Sequence, residues 1–273
     1  MTRRDGELMN STSPRVSVVM PTYNQAAYLP EAVESVLAQS WTDYEFIIVN
    51  DGSTDSTYDI LQGYASRYPE IKIIHQENRK LPTALNTGFV AARGEYLTWT
   101  SSDNRMCPDM LATLVGSLSQ NPSAGMVYSD WDIIHDNGAP YRRVQTFDFN
   151  RSLLMRLNYI NVSFLYRRAC QEKIGLYDPG YIYVEDWEYW LRLSRCFPVY
   201  RIPHSLYEYR LHASSMTGSG VVKPEKVVQA TRKLQRHLMA KDLLGWAWSK
   251  VLYELLRVHK GEDPTLIIQP YFR

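Results

Sequence analysis

Four short polar segments hold most of the chain's chemically useful side chains. Asp51 lies in Asn50-Asp-Gly-Ser53, directly after the apolar run Phe46–Val49. A carboxylate beside a glycine at such a point can bond a base or ribose edge that approaches the backbone closely, and it can equally start an Asx turn. Its surroundings lack the residue order of an EF-hand loop. Asp103 stands between Ser102 and Asn104, after Tyr96–Thr100. A single acid there suits Mg²⁺ or Mn²⁺ completed by substrate phosphates, or the capping of a helix opened by Pro108. Val184–Glu188 brings Glu185, Asp186 and Glu188 to a helix start, where the macrodipole favours acids. Glu185 and Glu188, three apart, share a face that Asp186 does not, and Asp186 is the candidate general base. Arg210 and His212 fall on one side of an extended segment. That spacing suits a diphosphate, a metal carrying one, or a plain surface basic pair. Tyr23, after Pro21-Thr22, can stack on a planar base or close a sheet edge.

The segments between these sites read as alternating elements. Val16–Met20, Glu45–Val49, Ile71–His75 and Tyr96–Thr100 are short, mostly β-branched or apolar runs, as buried strands require. Between them, helical spacing appears over 27–40, Ser56–Tyr68 and Pro82–Arg93, with a further helix over Pro108–Ser119. Pro30 is acceptable in the first turn of the first helix. The alternation predicts an α/β fold with helices on both faces of a mainly parallel sheet. Ligands of such sheets bind beyond the carboxyl ends of the strands, where Thr22, Asp51 and Asp103 fall. The second half is mixed. Strands are expected at Met126–Ser129, Val162–Tyr166, Val199–Ile202 and Leu206–Arg210, with helices at Glu185–Arg195 and from Pro224 to about Lys260.

The bulk numbers exclude several classes. A formal net charge of +1 gives no field for nucleic acid. No run of 18 apolar residues is present, and the start of the chain has no apolar signal region, so residues 1–13 read as a tail. Cys107, Cys170 and Cys196 have no CxxC spacing and read as reduced, mostly buried thiols, which points to the cytoplasm. The 20 tyrosines suit packing as well as sugar stacking.

Taken together, VSVVMPTYN (16–24), FIIVNDGSTDST (46–57), the N-x-G-F-x-x-A-x-G-E-Y pattern of 86–96, SDN (102–104), EDWEYWLRL (185–193) and the Y-R-x-H-x-x-S pattern of 209–215 closely resemble family 2 glycosyltransferases, in order and spacing. The resemblance covers about 14–217 and implies a GT-A fold, the nucleotide-diphospho-sugar transferase fold. It implies transfer of a sugar from a nucleoside diphosphate with inversion. By position, Pro21, Thr22 and Tyr23 would line the nucleoside pocket, Asp51 would bind the base, and Ser53 would lie beside it. Asp103 resembles the metal-holding acid of the family's D-x-D, Asp186 in Glu185-Asp186 the base, and Arg210 with His212 the pair near the diphosphate and metal. The implied cofactor is a divalent cation, Mn²⁺ or Mg²⁺. The implied partners are a nucleoside-diphosphate sugar (UDP favoured, dTDP or GDP as alternatives) and a glycan or lipid-linked acceptor.

Two departures bear on the donor. Ser101, followed by Ser102, stands where D-x-D has its first acid, and Ala84-Leu85-Asn86 replaces the common A-R-N, which leaves Arg79 or Lys80 to supply a cation. The expected organisation is a tail (1–13), a catalytic domain (14–220) with a nucleotide-binding half (14–104) and an acceptor and base half (105–220), and a C-terminal helical extension (221–273). Residues 221–260 carry nine Lys or Arg against three acids, among many Leu and Trp. That composition suits packing on the catalytic domain, or docking on the anionic inner face of a plasma membrane. The competing expectation is a catalytically inactive sugar-nucleotide-binding or scaffold protein, which Ser101 favours and the retained acids disfavour. A nucleotidyltransferase would need a glycine-rich phosphate loop after the first strand, which Pro21–Gln25 is not.

Overall fold

A computed structural model describes residues 14–160, 162–213 and 224–241. The first half alternates as expected: β1 (Val16–Thr22), α1 (Leu29–Leu37), β2 (Tyr44–Asp51), α2 (Thr57–Arg67), β3 (Lys72–Gln76), α3 (Leu81–Ala91) and β4 (Tyr96–Trp99). β3, β2, β1 and β4 lie in that order, all parallel, with Val19 level with both Ile47 and Trp99.

Side chains on these strands alternate between two apolar layers. Val18, Met20, Phe46 and Ile48 pack under α1, α2 and α4 (Met110–Gln120). Val19, Ile47, Val49, Leu97 and Trp99 pack under α3 and α7 (Glu185–Cys196). Both faces of β1, β2 and β4 are covered, so these strands read as nearly unbroken apolar runs, whereas the edge strand β3 exposes Lys72 and His75. Gly88 lets α3 settle on β1: a Cβ there would lie 2.4 Å from Val19 Cγ1.

Beyond β4 the sheet becomes mixed. The remaining elements are β5 (Arg105–Met106), β6 (Met126–Ile134), β7 (Pro140–Val144), α5 (Arg151–Leu154), β8 (Phe164–Arg167), α6 (Arg168–Ile174), β9 (Val199–Arg210) and α8 (Pro224–Lys241). β8 lies antiparallel between β4 and β6, β9 runs parallel to β6, and β5 closes the order antiparallel on β9. The two strands expected over 199–210 are one. Its register against β6 shifts between Ile202 and Ser205, which places Pro203 in an irregularity where its missing N–H costs no ladder bond. The N-cap position of α4 is Asp109, which makes no side-chain capping bond, so Pro108 precedes the helix and Asp103 is not its cap. Cys170 is buried and Cys107 half-buried, but Cys196, at the end of α7, is exposed, against expectation. All three thiols are free. The 1–13 tail, the loop at 217–220 and the chain from 242 lie outside the described residues. Among the described residues no helix is long and apolar enough to cross a membrane.

Candidate active site

Parallel register brings the carboxyl ends of β1, β2 and β4 to one edge of the sheet, and the loops there are laced together. Asn24, at φ 53°, donates its backbone N–H to Ser53 Oγ at 3.0 Å, and its Oδ1 accepts from the Thr54 N–H at 2.7 Å. Burial pushes the Asp55 carboxyl up, but hydrogen bonds from Thr57 and Ala26 outweigh it and leave Asp55 below the usual range. Ser53 therefore sits beside Asp51 as part of the loop's frame.

Asp51 closes β2 and is buried. Its Oδ1 accepts from Gln76 Nε2 at 2.7 Å and from the Arg79 N–H at 2.9 Å. Those two bonds fix the carboxylate while leaving Oδ2 outside them. Gly52, at φ +76°, is required here, because a Cβ would lie 2.7 Å from the Asn78 backbone nitrogen. Asn78 Oδ1 is buried with no bonding partner beside this approach. Pro21 and Thr22 are buried, whereas Tyr23 is 46% exposed, as a stacking surface must be. Arg79 and Lys80 expose their side chains, and Lys80 holds φ 71° at the start of α3. Leu85, in place of the common arginine, is fully buried in the core.

The loop after β4 is held from below. Thr100 Oγ1 lies 2.7 Å from the buried Tyr207 hydroxyl, which also accepts from the Ser101 N–H at 3.3 Å. Ser101 is half-buried and Ser102 buried. Asp103 Oδ2 lies 3.1 Å from His212 Nε2, and Asp103 Oδ1 is buried with no bonding partner. Among the described residues no three His, Cys, Asp or Glu side chains gather. An orphaned carboxylate oxygen beside an imidazole nitrogen fits a hard divalent cation whose other positions are filled by phosphate and water oxygens.

Arg210 departs from expectation. Its guanidinium, expected at the diphosphate, is buried and already engaged: Nε donates to the Asp103 carbonyl at 3.0 Å, Nη1 to the Asp136 carbonyl at 2.6 Å, and Nη2 to Glu31 Oε2 at 2.7 Å.

Glu185 and Asp186 open α7 on a segment that α3 and β4 locate. Asn86 exchanges two hydrogen bonds with the backbone of Tyr177, and Trp99 Nε1 donates to the Tyr177 hydroxyl at 3.0 Å. Tyr177 stacks on Tyr189 of α7, with centroids 4.1 Å apart at 11°. Asp186 Oδ2 accepts from Asn158 Nδ2 at 2.8 Å and Oδ1 from the Trp187 N–H at 2.7 Å. Glu185 is buried and its Oε2 has no bonding partner. Burial, and then the charge of Asp186, pushes the Glu185 carboxyl far above the usual range. Burial also raises Asp186, against the opposing hydrogen bond from Asn158. Both carboxyls are thus raised, while the bonds from Asn158 and the Trp187 N–H favour the ionised form of Asp186. Glu188 is instead paired with Arg192 at 2.7 Å, one turn on. Gln76 and Asn158 escaped the sequence reading. The strand-end rule would have found Gln76, whereas Asn158 lies 28 residues before its partner and outside any motif.

The family model described as "Glycosyl transferase family 2" matches residues 17–181. An uncharacterized protein of Sinorhizobium fredii is 31% identical over 82% of the chain, which spans 25% of that relative's length. Two solved structures share the fold. Staphylococcus aureus TarS 1-349 in complex with UDP-GlcNAc superposes with a TM-score of 0.67 at 19% identity, over 92% of this chain and 74% of that one. The mannosyltransferase PcManGT from Pyrobaculum calidifontis, in complex with GDP-Man and Mn²⁺, superposes with a TM-score of 0.63 at 18% identity, over 96% and 85%.

Proposed function

The chain belongs to glycosyl transferase family 2 and has the GT-A fold, and from that premise we propose that it moves a sugar from a nucleoside diphosphate to an acceptor hydroxyl with inversion. The observation that carries the reading is a division of labour at one end of the sheet. A fixed, half-free carboxylate (Asp51), an orphaned carboxylate with an imidazole (Asp103 and His212), and a buried carboxyl pair held by Asn158 (Glu185 and Asp186) belong to three separate stations.

Asp51 Oδ2 accepts a ring N–H of the base. Uracil, thymine and guanine carry such a group and cytosine and adenine do not, so the donor is a UDP, dTDP or GDP sugar. Pro21, Thr22 and Tyr23 surround the base, with Arg79 and Lys80 over the phosphates. UDP is favoured by the likeness to TarS, whose complex holds UDP-GlcNAc. Asp103 and His212 would hold Mg²⁺ or Mn²⁺, which would neutralise charge on the diphosphate leaving group. Mn²⁺ in the mannosyltransferase complex supports that assignment. Asp186 takes the proton of the acceptor hydroxyl as its oxygen bonds the anomeric carbon. The bond from that carbon to the diphosphate breaks with the electron pair leaving on the diphosphate. One displacement inverts the centre. Glu185, raised by burial and by the charge of Asp186, has no partner at Oε2 and is the harder of the two to ionise. Asp186, with its bonds from Asn158 and the Trp187 N–H, is the base. A glycan or lipid-linked acceptor of cell-envelope or exopolysaccharide assembly, met at the inner membrane face, is suggested by the basic, Leu- and Trp-rich segment 221–260.

Ser101 favours a second reading, a sugar-nucleotide-binding protein without turnover. A panel of nucleotide sugars with Mn²⁺ or Mg²⁺, read as release of nucleoside diphosphate, separates the two. Turnover of one donor supports the enzyme, and binding of a donor without turnover supports the second reading. In the active case Asp186→Asn keeps donor binding and loses transfer, and Asp103→Ala loses metal-dependent binding. Unchanged transfer by Asp186→Asn would sink the base assignment.

A further inference from the structure

We infer that Glu31 and Arg210 are positioning residues for the Asp103–His212 pair, acting as a charged clamp that sets cation affinity without touching cation or donor. The inference rests on the proposed cation site. Asp103 and His212 come from distant parts of the chain, the loop after β4 and the end of β9. Their 3.1 Å contact therefore depends on groups that bridge the two segments.

Arg210 spans the gap. Its backbone N–H donates to Asn104 Oδ1 at 2.8 Å, and its Nε to the carbonyl of Asp103 itself at 3.0 Å. One residue thus grips the Asp103 carbonyl and the Asn104 side chain that follows it and, two residues on, presents His212. Nη1 ties the same fork to the turn between β6 and β7 through the Asp136 carbonyl at 2.6 Å. That turn is pinned in its own right, because Asp136 Oδ1 accepts from the Tyr28 hydroxyl at 2.6 Å. The Tyr28 ring lies 4.2 Å from the His212 ring and also faces the Arg210 guanidinium.

Arg210 is 1% exposed, so its charge needs a counter-ion, and Glu31 of α1 supplies it at 2.7 Å. Glu31 is half exposed and accepts from Arg105 as well. It can therefore be changed without opening the core. The planar fork is used on three acceptors in three directions, which a lysine cannot reproduce. Groups that orient metal ligands in this way typically change metal affinity about 10–100-fold when removed.

The test titrates Mn²⁺ by electron paramagnetic resonance on the full chain with UDP present, and measures UDP binding in EDTA alongside. For Glu31→Ala the expected result is a rise of roughly tenfold or more in the Mn²⁺ dissociation constant, with a smaller rise for Glu31→Gln, which keeps an acceptor but no charge. Arg210→Lys is expected to match or exceed Glu31→Ala. Metal-free UDP binding should stay within about twofold of wild type in each, because Asp51 and its partners lie elsewhere. That split separates positioning from general loss of structure. Glu31→Ala and Glu31→Gln that bind Mn²⁺ like wild type would overturn the clamp. A wild-type chain that binds no Mn²⁺ in the presence of any of UDP, dTDP or GDP would overturn the cation site itself, and the clamp with it.

Discussion

At the scale of single residues, the decisive contact is the one from Asn158 to Asp186. A base for a neutral hydroxyl must be ionised near neutral pH, yet burial raises both carboxyls of the pair. The Asn158 amide favours the ionised form of Asp186, and so does the Trp187 N–H. Glu185 and the buried Tyr177 are the other titratable groups that interact with it. Removing the amide in Asn158→Ala therefore raises the Asp186 pKa further. Since the ionised form is the active one, the acid limb of kcat/KM for the acceptor moves to higher pH. Activity below neutral pH should fall roughly tenfold or more, the worth of a hydrogen bond to a charged group, while donor binding is kept. An acid limb unmoved in Asn158→Ala would mean that another group sets it. The same pair bears on stability. Its native pKa values lie above those of the unfolded chain, so the native state binds the extra proton. The pair's contribution thus declines as pH rises from the ordinary carboxylate range through the raised values.

At the scale of elements, the parts that place the donor site are those with a two-faced apolar pattern. The first seven elements were legible because strands buried on both sides leave continuous runs, and helices between them repeat at 3.6. β7 was not legible, since Pro140-Tyr-Arg-Arg-Val144 exposes four of its five residues and has neither alternation nor apolar bulk. β5 is two residues long and exists only because β9 pairs with it. The helix that carries Asp186 was visible as Glu185–Arg195, but its anchoring was not, because Asn86 and Tyr177 meet across 91 residues. Gly88 is the packing counterpart of that anchor. A Cβ at this position would sit 2.4 Å from Val19 Cγ1, so Gly88→Val must push α3 away from β1. Overpacking of this kind costs about 1–3 kcal/mol. Because Asn86 sits on the same helix, the displacement also reaches the segment carrying Asp186. Gly88→Val should lower the thermal midpoint and lower transfer more than it lowers UDP binding. Equal losses of transfer and UDP binding would show that α3 does not locate the base.

At the scale of the whole molecule, the division expected at 104/105, into a nucleotide half and an acceptor half, is not a division of the fold. The sheet crosses it without a break, because β4 of the first half pairs with β8 of the second, Tyr96 opposite Arg167 and Leu97 opposite Tyr166. Both apolar layers cross it too. One holds Val19 and Ile47 with Phe164 and Trp190, the other Val18 and Phe46 with Val127 and Leu165. Neither half has a core of its own, so the two cannot melt separately. Scanning calorimetry of the chain should give one transition for the catalytic domain, with calorimetric and van't Hoff enthalpies in agreement. Saturating nucleotide should then move that transition as a unit. Ligand at 100 times its dissociation constant adds about 2.7 kcal/mol, which in a domain of this size is a rise of roughly 5–10 °C. The part of the rise that depends on Mn²⁺ should vanish in Asp103→Ala, and the remainder, owed to Asp51 and the base pocket, should persist. Two resolved transitions, with only the lower or only the upper one responding to UDP, would show that the halves are independent folding units and that the site lies within one of them.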